Sequence, residues 1–162
     1  MTIKDFLILF PSEAEAKEYC RNCRWPQLEY VKKDNKNGND KIDWDVRGVE
    51  CPKCKHGVAY IIDNWSRFKC KKCGTKFTAV NGTIFHWKRY SYKEILLMIY
   101  LFLNDSKISS YKVRELANLQ QRQVNYFISI LRQNVPNYFL HEHLDDALFK
   151  KAVTFLFTKE IE

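Results

Sequence analysis

The sequence predicts an α+β fold: a small cysteine-rich β-hairpin module followed by a helical, helix-turn-helix-like module. Three observations carry that expectation. Cysteines recur as CxxC pairs, at Cys20/Cys23, Cys51/Cys54 and Cys70/Cys73. Around the last two pairs, short runs of β-branched and aromatic residues are broken by turn dipeptides. From Ser91 onward the apolar spacing takes on the 3.6-residue period of helices. The chain divides accordingly into an N-terminal helix with a polar loop (1–50), a hairpin module (51–90) and a helix-turn-helix with a C-terminal helix (91–162).

Each element has a local cause. Ser12 and Glu15 have the spacing of a capping box, so a helix runs from about Glu13 to Asn22 and stops before Pro26. Lys32 to Asp45 is polar and carries Asn-Gly and Asn-Asp pairs, which predicts a solvated loop. Strands are expected over Val58–Ile62, Arg67–Lys69, Lys76–Val80 and Thr83–Phe85, separated by Asp63-Asn64 and Asn81-Gly82. Hairpins this small have too little core to stand alone and need a staple. Ser91 caps a helix whose residues Ile95 to Leu103 are nine consecutive apolar residues, hence a helix buried on most sides. Ser109 or Ser110 caps a short helix through Leu116, a turn follows near Asn118, and a further helix spans about Gln121 to Asn134 before Pro136. Val124, Phe127, Ile128 and Leu131 give it an inward face. A last amphipathic helix covers about Leu144 to Thr158.

Composition sets the outer bounds. At 162 residues the chain holds one ordinary domain or two small ones, which excludes a large enzyme fold. A hydrophobic fraction of 46% with 15% aromatics is enough for a packed core. No stretch reaches the roughly 18 apolar residues that span a bilayer. Met1 to Phe10 lacks the basic start and small-residue cleavage site of a secretory signal, so a cytoplasmic protein is expected.

Fifteen residues separate Cys54 from Cys70, which matches the CxxC, loop, CxxC spacing of structural zinc sites. Each pair wraps one edge of a tetrahedron, and the hairpin between brings the two edges together. Gly74 suits the left-handed residue that ends a knuckle. Cys51, Cys54, Cys70 and Cys73 are therefore read as ligands of one structural Zn2+, the alternatives being a redox CxxC or free core thiols. Cys20 and Cys23 read as buried, since a second metal would need two further ligands, and His141 and His143 read as surface loop residues.

Charge is concentrated in the same segment. Residues 1–50 hold 9 Lys/Arg against 10 Asp/Glu, residues 51–90 hold 9 against 1, and residues 91–162 hold 9 against 8. A four-thiolate zinc centre carries about −2, so the middle segment stays positive and suits a polyanion. Lys69, Lys71, Lys72, Lys76, Lys88 and Arg89 are the expected phosphate contacts, interleaved with Tyr60, Trp65, Phe68, Phe77 and Trp87. The helix from Gln121 presents Gln121, Arg122, Gln123, Asn125 and Tyr126 on its first turns, residue types suited to base edges in a major groove. The alternative is a polar, solvated face on an ordinary helix cluster.

The series Phe10-Pro11-Ser12-Glu13, Arg24-Trp25-Pro26, Cys51-Pro52-Lys53-Cys54, Cys70-Lys71-Lys72-Cys73, Phe77 and Gly82-Thr83-Ile84-Phe85 resembles the N-terminal region of insertion-sequence transposases. These carry a zinc ribbon and a helix-turn-helix ahead of a DDE catalytic domain. The resemblance covers roughly residues 6 to 135 and implies binding to transposon ends. Two dozen residues separate the Trp-Pro segment from the first knuckle, longer than the family's usual spacing, and Lys55 stands where a knuckle glycine is common. Only 28 residues follow Asn134, too few for the sheet that would gather a DDE triad, so no transposase chemistry is expected.

The expected function is zinc-dependent binding of double-stranded DNA without catalysis, as a transposase-derived regulator or end binder of a bacterium, phage or mobile element. One alternative is a module whose ribbon and final helix, through a face bearing Leu148, Phe149, Leu156 and Phe157, dock on a polymerase, a nuclease or a second copy. Another is RNA or single-stranded DNA as the ligand, since basic residues interleaved with aromatics also suit stacking.

Overall fold

Two layers build the molecule, an antiparallel sheet and a set of helices, and α2 is the element that joins them. The computed structural model describes residues 1–33, 44–86 and 90–159. In chain order the elements are α1 (Ile3–Leu9), α2 (Glu13–Arg24), β1 (Glu29–Lys32), β2 (Trp44–Arg47), β3 (Val58–Ile62), β4 (Arg67–Cys70), β5 (Lys76–Phe77), α3 (Tyr92–Asn104), α4 (Ser110–Ala117), α5 (Gln121–Asn134), a 3-10 turn (Asn137–Leu140) and α6 (Asp146–Thr158). The α+β class expected from the sequence is the class observed.

The sheet has five antiparallel strands in the order β1-β2-β3-β4-β5, so the strands on either side of residue 50 belong to one sheet. The β1–β2 pair was not expected. Lys32, Trp44 and Asp45, assigned to the polar loop, are strand residues, while 34–43 of that loop lie outside the described residues. At the far edge β5 stops at Phe77 instead of Val80, and Thr83–Phe85 lies among turns instead of forming a strand. There the Thr83 amide donates to Val80 O at 3.2 Å and Asn81 Oδ1 takes the Thr78 amide at 2.7 Å, closing turns where a strand would leave these groups to a neighbour. Gly48 is required between β2 and the first knuckle: its φ is +73°, and a Cβ there would sit 2.1 Å from Gln27 O.

Cross-strand register fixes which side chains share a face. Phe68 pairs with Phe77, and both rings lie about Trp25 at 5.8 and 6.0 Å, which makes this the inner face. Arg21 of α2 is buried against it, its guanidinium 4.5 Å from the Phe68 ring centroid and its Nη2 donating to Trp65 O at 2.7 Å. Arg24 Nη1 donates to Ala79 O at 2.6 Å and ties the end of α2 to the chain beyond β5.

The helical layer is arranged around α3, which packs on α2, α4, α5 and α6. Ser91 and Glu94 form its capping box, and its residues from Ile95 to Leu103 are buried apart from Leu97. α2 runs to Arg24, two residues beyond the expected end, and its Cys20 and Cys23 are buried on the side facing α6 and α3. α1 was also unforeseen. Thr2 and Asp5 cap it, and Phe6 and Phe10 enter a cluster with Tyr19, Tyr100 and Phe149. Leu148, Phe149, Leu156 and Phe157 of α6 are all buried, so the terminal-helix face considered as a docking patch is core. Among the described residues, no helix is long and apolar enough to cross a membrane.

Candidate metal centre and nucleic-acid interface

The two CxxC segments fold the same way, and backbone hydrogen bonds show why. The Lys55 amide donates to Cys51 O at 2.9 Å, and the Gly74 amide donates to Cys70 O at 3.0 Å. Each turn closes with the first cysteine's amide donating two residues beyond the second cysteine, Cys51 to His56 O at 3.1 Å and Cys70 to Thr75 O at 2.9 Å. In both, the residue after the second cysteine is left-handed, Lys55 at φ +60° and Gly74 at φ +71°. Lys55 therefore adopts the conformation a knuckle glycine would supply, with its Nζ 2.9 Å from Glu50 Oε1.

This symmetry brings four sulfurs together. The Sγ atoms of Cys51, Cys54, Cys70 and Cys73 lie within 4.8 Å of one another, with Cys51–Cys73 at 3.6 Å and Cys54–Cys70 at 3.5 Å. A tetrahedron with metal–sulfur bonds of about 2.3 Å has edges of about 3.8 Å, so the set is compatible with a bound metal ion. All four positions are thiolate, which leaves none open for a water or substrate. Cys51 and Cys70 are buried, Cys54 is half-buried and Cys73 is exposed. The Lys72 amide points at Cys70 Sγ from 3.4 Å, the kind of donor that steadies a ligating sulfur. Among the described residues this is the one cluster of three or more metal-binding side chains.

The thiols differ in acidity. Thr75 lies 3.1 Å from Cys73 Sγ, and its hydroxyl and amide pull the Cys73 thiol down to about 6. The His56 amide favours the Cys54 thiolate, but burial and the three neighbouring sulfurs outweigh it and push Cys54 up to about 12. A bound dication would favour the thiolate at each ligating sulfur. Cys20 is pushed well above the ordinary thiol value by burial, as is Cys23 to a smaller degree, which marks both as inert core thiols.

The second constellation is α4, its turn and α5. Asn118 ends α4 in the left-handed region at φ +54°, and Leu119 and Gln120 complete a three-residue turn into α5. Val124, Phe127, Ile128 and Leu131 are buried, with Phe127 stacked on Phe85 at 5.4 Å and 13°. Opposite them Arg122, Asn125, Tyr126, Ser129 and Gln133 form an exposed row. Gln121 donates to Ser110 Oγ at 2.9 Å and to Asn125 Oδ1 at 2.8 Å, so it links the two helices and orients Asn125. Gln123 turns back: its Oε1 accepts from the Gln120 amide at 3.2 Å in a capping box. α5 contains no acidic residue.

The basic residues are not equivalent. Lys71 bonds Asp45 Oδ2, Lys33 lies 3.1 Å from Asp45 Oδ1, and both ammonium groups sit over the Tyr60 ring at 4.8 and 4.5 Å. Arg67 pairs with Asp63. Lys69, Lys72 and Lys76 are exposed and have no carboxylate partner among the described residues. Lys88 and Arg89 lie outside the described residues. Sequence reasoning missed Arg47 and Asp45, which reach the outer face through β2; the alternation of Trp44-Asp45-Val46-Arg47 was the available signal.

Comparison of the chain with protein-family models, with curated proteins and with solved structures finds no match.

Proposed function

We propose that this chain is a zinc-dependent DNA-binding protein that lays α5 in the major groove of a duplex. The observation that carries the reading is the acid-free, exposed row of α5 behind a three-residue turn that Asn118 opens in the left-handed region. Such a turn sets two short helices at an angle, and a recognition helix meets bases through its first turns. Arg122 and Asn125 are the side chains suited to guanine and adenine edges, and Gln121 holds the amide of Asn125 in place. Zn2+ is the ion proposed for Cys51, Cys54, Cys70 and Cys73, because a closed four-thiolate tetrahedron built from two CxxC turns is the usual form of a structural zinc site. When bound it staples the sheet; the surrounding residues orient its sulfurs. The residue series that resembles transposase N-terminal regions supports a regulator or an end-binding protein of a mobile element.

Fluorescence anisotropy with a random-sequence duplex at low and moderate salt tests this. Binding should weaken steeply with salt and fall when Arg122 is changed to Ala. No duplex binding at low salt would remove the proposal.

A second reading, a protein-docking module, has one observation in its favour: α1 exposes Ile3, Leu7, Ile8 and Leu9. Concentration-dependent association that Ile8→Lys abolishes and Arg122→Ala leaves intact would favour it.

A further inference from the structure

The outer face of the sheet carries an arrangement that duplex reading by α5 does not use. Register places Asp45, Tyr60, Lys69 and Lys76 in one row across β2, β3, β4 and β5. Strands lie about 4.8 Å apart, so Tyr60 and the two lysines occupy a row about 10 Å long. The row is on the face opposite Phe68 and Phe77, away from Trp25 and α2. Tyr60, on the middle strand of the five, is 38% exposed on this face.

Lys69 and Lys76 stand directly opposite each other. Like charges in that position destabilise a strand pair, and neither has a carboxylate partner among the described residues. The neighbouring cations are treated differently: Lys71 and Lys33 share Asp45, and Arg67 has Asp63. The sheet therefore neutralises the charges around the ring and leaves the two beside it open. An anion between them would convert a repulsive pair into an attractive one. The Tyr60 ring alongside, whose centroid has the Lys33 and Lys71 ammonium groups at 4.5 and 4.8 Å, offers a flat group the part of its surface that those cations leave uncovered. A phosphate attached to a base has both parts.

We infer that this face binds an unpaired stretch of nucleic acid, with one base stacked on Tyr60 and the adjoining phosphate held between Lys69 and Lys76. Stacking is tolerant of base identity, so the platform supplies affinity for single strands without strong sequence preference. It is a different surface from α5, and it stands or falls independently of the duplex reading.

The test is anisotropy of zinc-loaded protein with a labelled oligothymidylate of about twelve nucleotides, within the site size of small single-strand modules. An oligouridylate arm separates DNA from RNA. Tyr60→Ala should weaken binding by about 5- to 150-fold, the loss expected for one stacked base, and Tyr60→Phe should restore it. Lys69→Gln with Lys76→Gln should lower the slope of log K against log salt by about 0.7, the value for one phosphate contact on a single strand. That double variant removes a repulsion and should melt at or above the wild type, so loss of binding would not reflect loss of folding.

No single-strand binding would overturn the inference, as would binding that Tyr60→Ala leaves unchanged. Loss of duplex binding in the double lysine variant, with single-strand binding intact, would assign these lysines to the duplex backbone and overturn it equally. Displacement of the oligonucleotide by polyglutamate as readily as by unlabelled strand would reduce the face to a bare charge effect, with the same consequence.

Discussion

Replacing Cys70 with Ser removes one of the four clustered sulfurs and leaves a buried hydroxyl in its place. Cys70 ends β4, is 1% exposed, and has its Sγ 3.5 Å from Cys54 Sγ. Serine keeps the amide that donates to Thr75 O and the carbonyl that accepts from Gly74, so the knuckle's backbone bonds survive the change. The buried hydroxyl costs about 1 to 3 kcal/mol; the larger loss is the stabilisation that comes from binding the ion only in the folded state. At a free zinc concentration about 1,000-fold above Kd this is about 4 kcal/mol. For a domain of this size each kcal/mol moves the melting temperature by about 2 to 4 °C, which gives a drop of about 8 to 16 °C for the ion alone. Far-UV circular dichroism melts with and without a chelator, together with the zinc content per chain, measure both parts. Wild type should hold one zinc and lose that margin on chelation; Cys70→Ser should melt low and respond to neither zinc nor chelator. Cys20→Ser is the control, because Cys20 is equally buried but lies in α2 away from the cluster. It should cost about 1 to 3 kcal/mol through the buried hydroxyl and keep its zinc. A wild type whose melting ignores chelation would show that the four sulfurs hold no stabilising ion.

Three further outcomes follow from the same geometry. Gly74→Ala should destabilise by about 1 kcal/mol and Lys55→Gly should stabilise by up to that amount, less the small contribution of the exposed Glu50 pair; matched denaturant melts of the zinc form would expose a wrong account if both changes destabilise. In metal-free protein, the Cys73 thiolate should titrate near pH 6, below its unfolded value. The stability it contributes is therefore complete above the unfolded thiol value and lost as pH falls through about 6, which thiolate absorbance against pH reads directly; titration near the ordinary thiol value would contradict it. Asn125→Ala should relax base preference at one position by about 1 to 3 kcal/mol, while Arg122→Ala should also flatten the salt slope if it meets a phosphate; equal affinity for all sequences before and after substitution would count against base reading by α5.

Most of the helical layer was legible because its signals are local. Ser91 with Glu94, Ser109 and Asn118 sit at the ends of apolar runs and mark α3, α4 and the turn into α5 without reference to the rest of the chain. The knuckles were legible for the same reason, since CxxC is a turn that closes on itself. Lys55 shows the limit of residue-type reasoning: the CxxC turn, closed by the Lys55 amide on Cys51 O, takes a left-handed residue there whether or not the sequence supplies glycine. The β1–β2 pair was hidden because it depends on a long-range partner. Glu29–Lys32 has no buried residue, and its pairing with Trp44–Arg47 is made across a polar connection that reads as loop. α1 was hidden because its apolar residues do not form one face: Phe6 is buried while Ile8 is 76% exposed. Its Thr2–Asp5 capping box was the overlooked cue. The open lysine pair was invisible for a different reason, since only the register of β4 against β5 shows which charges face each other.

Selection of bound fragments from a random duplex library by the zinc-loaded chain, with sequencing, addresses the reading of α5 at its root. Enrichment of a short motif, lost in Asn125→Ala and absent after chelation, is the expected result. Recovery of fragments no different from the starting library, at a salt concentration low enough for phosphate contacts to persist, would mean that α5 does not read bases.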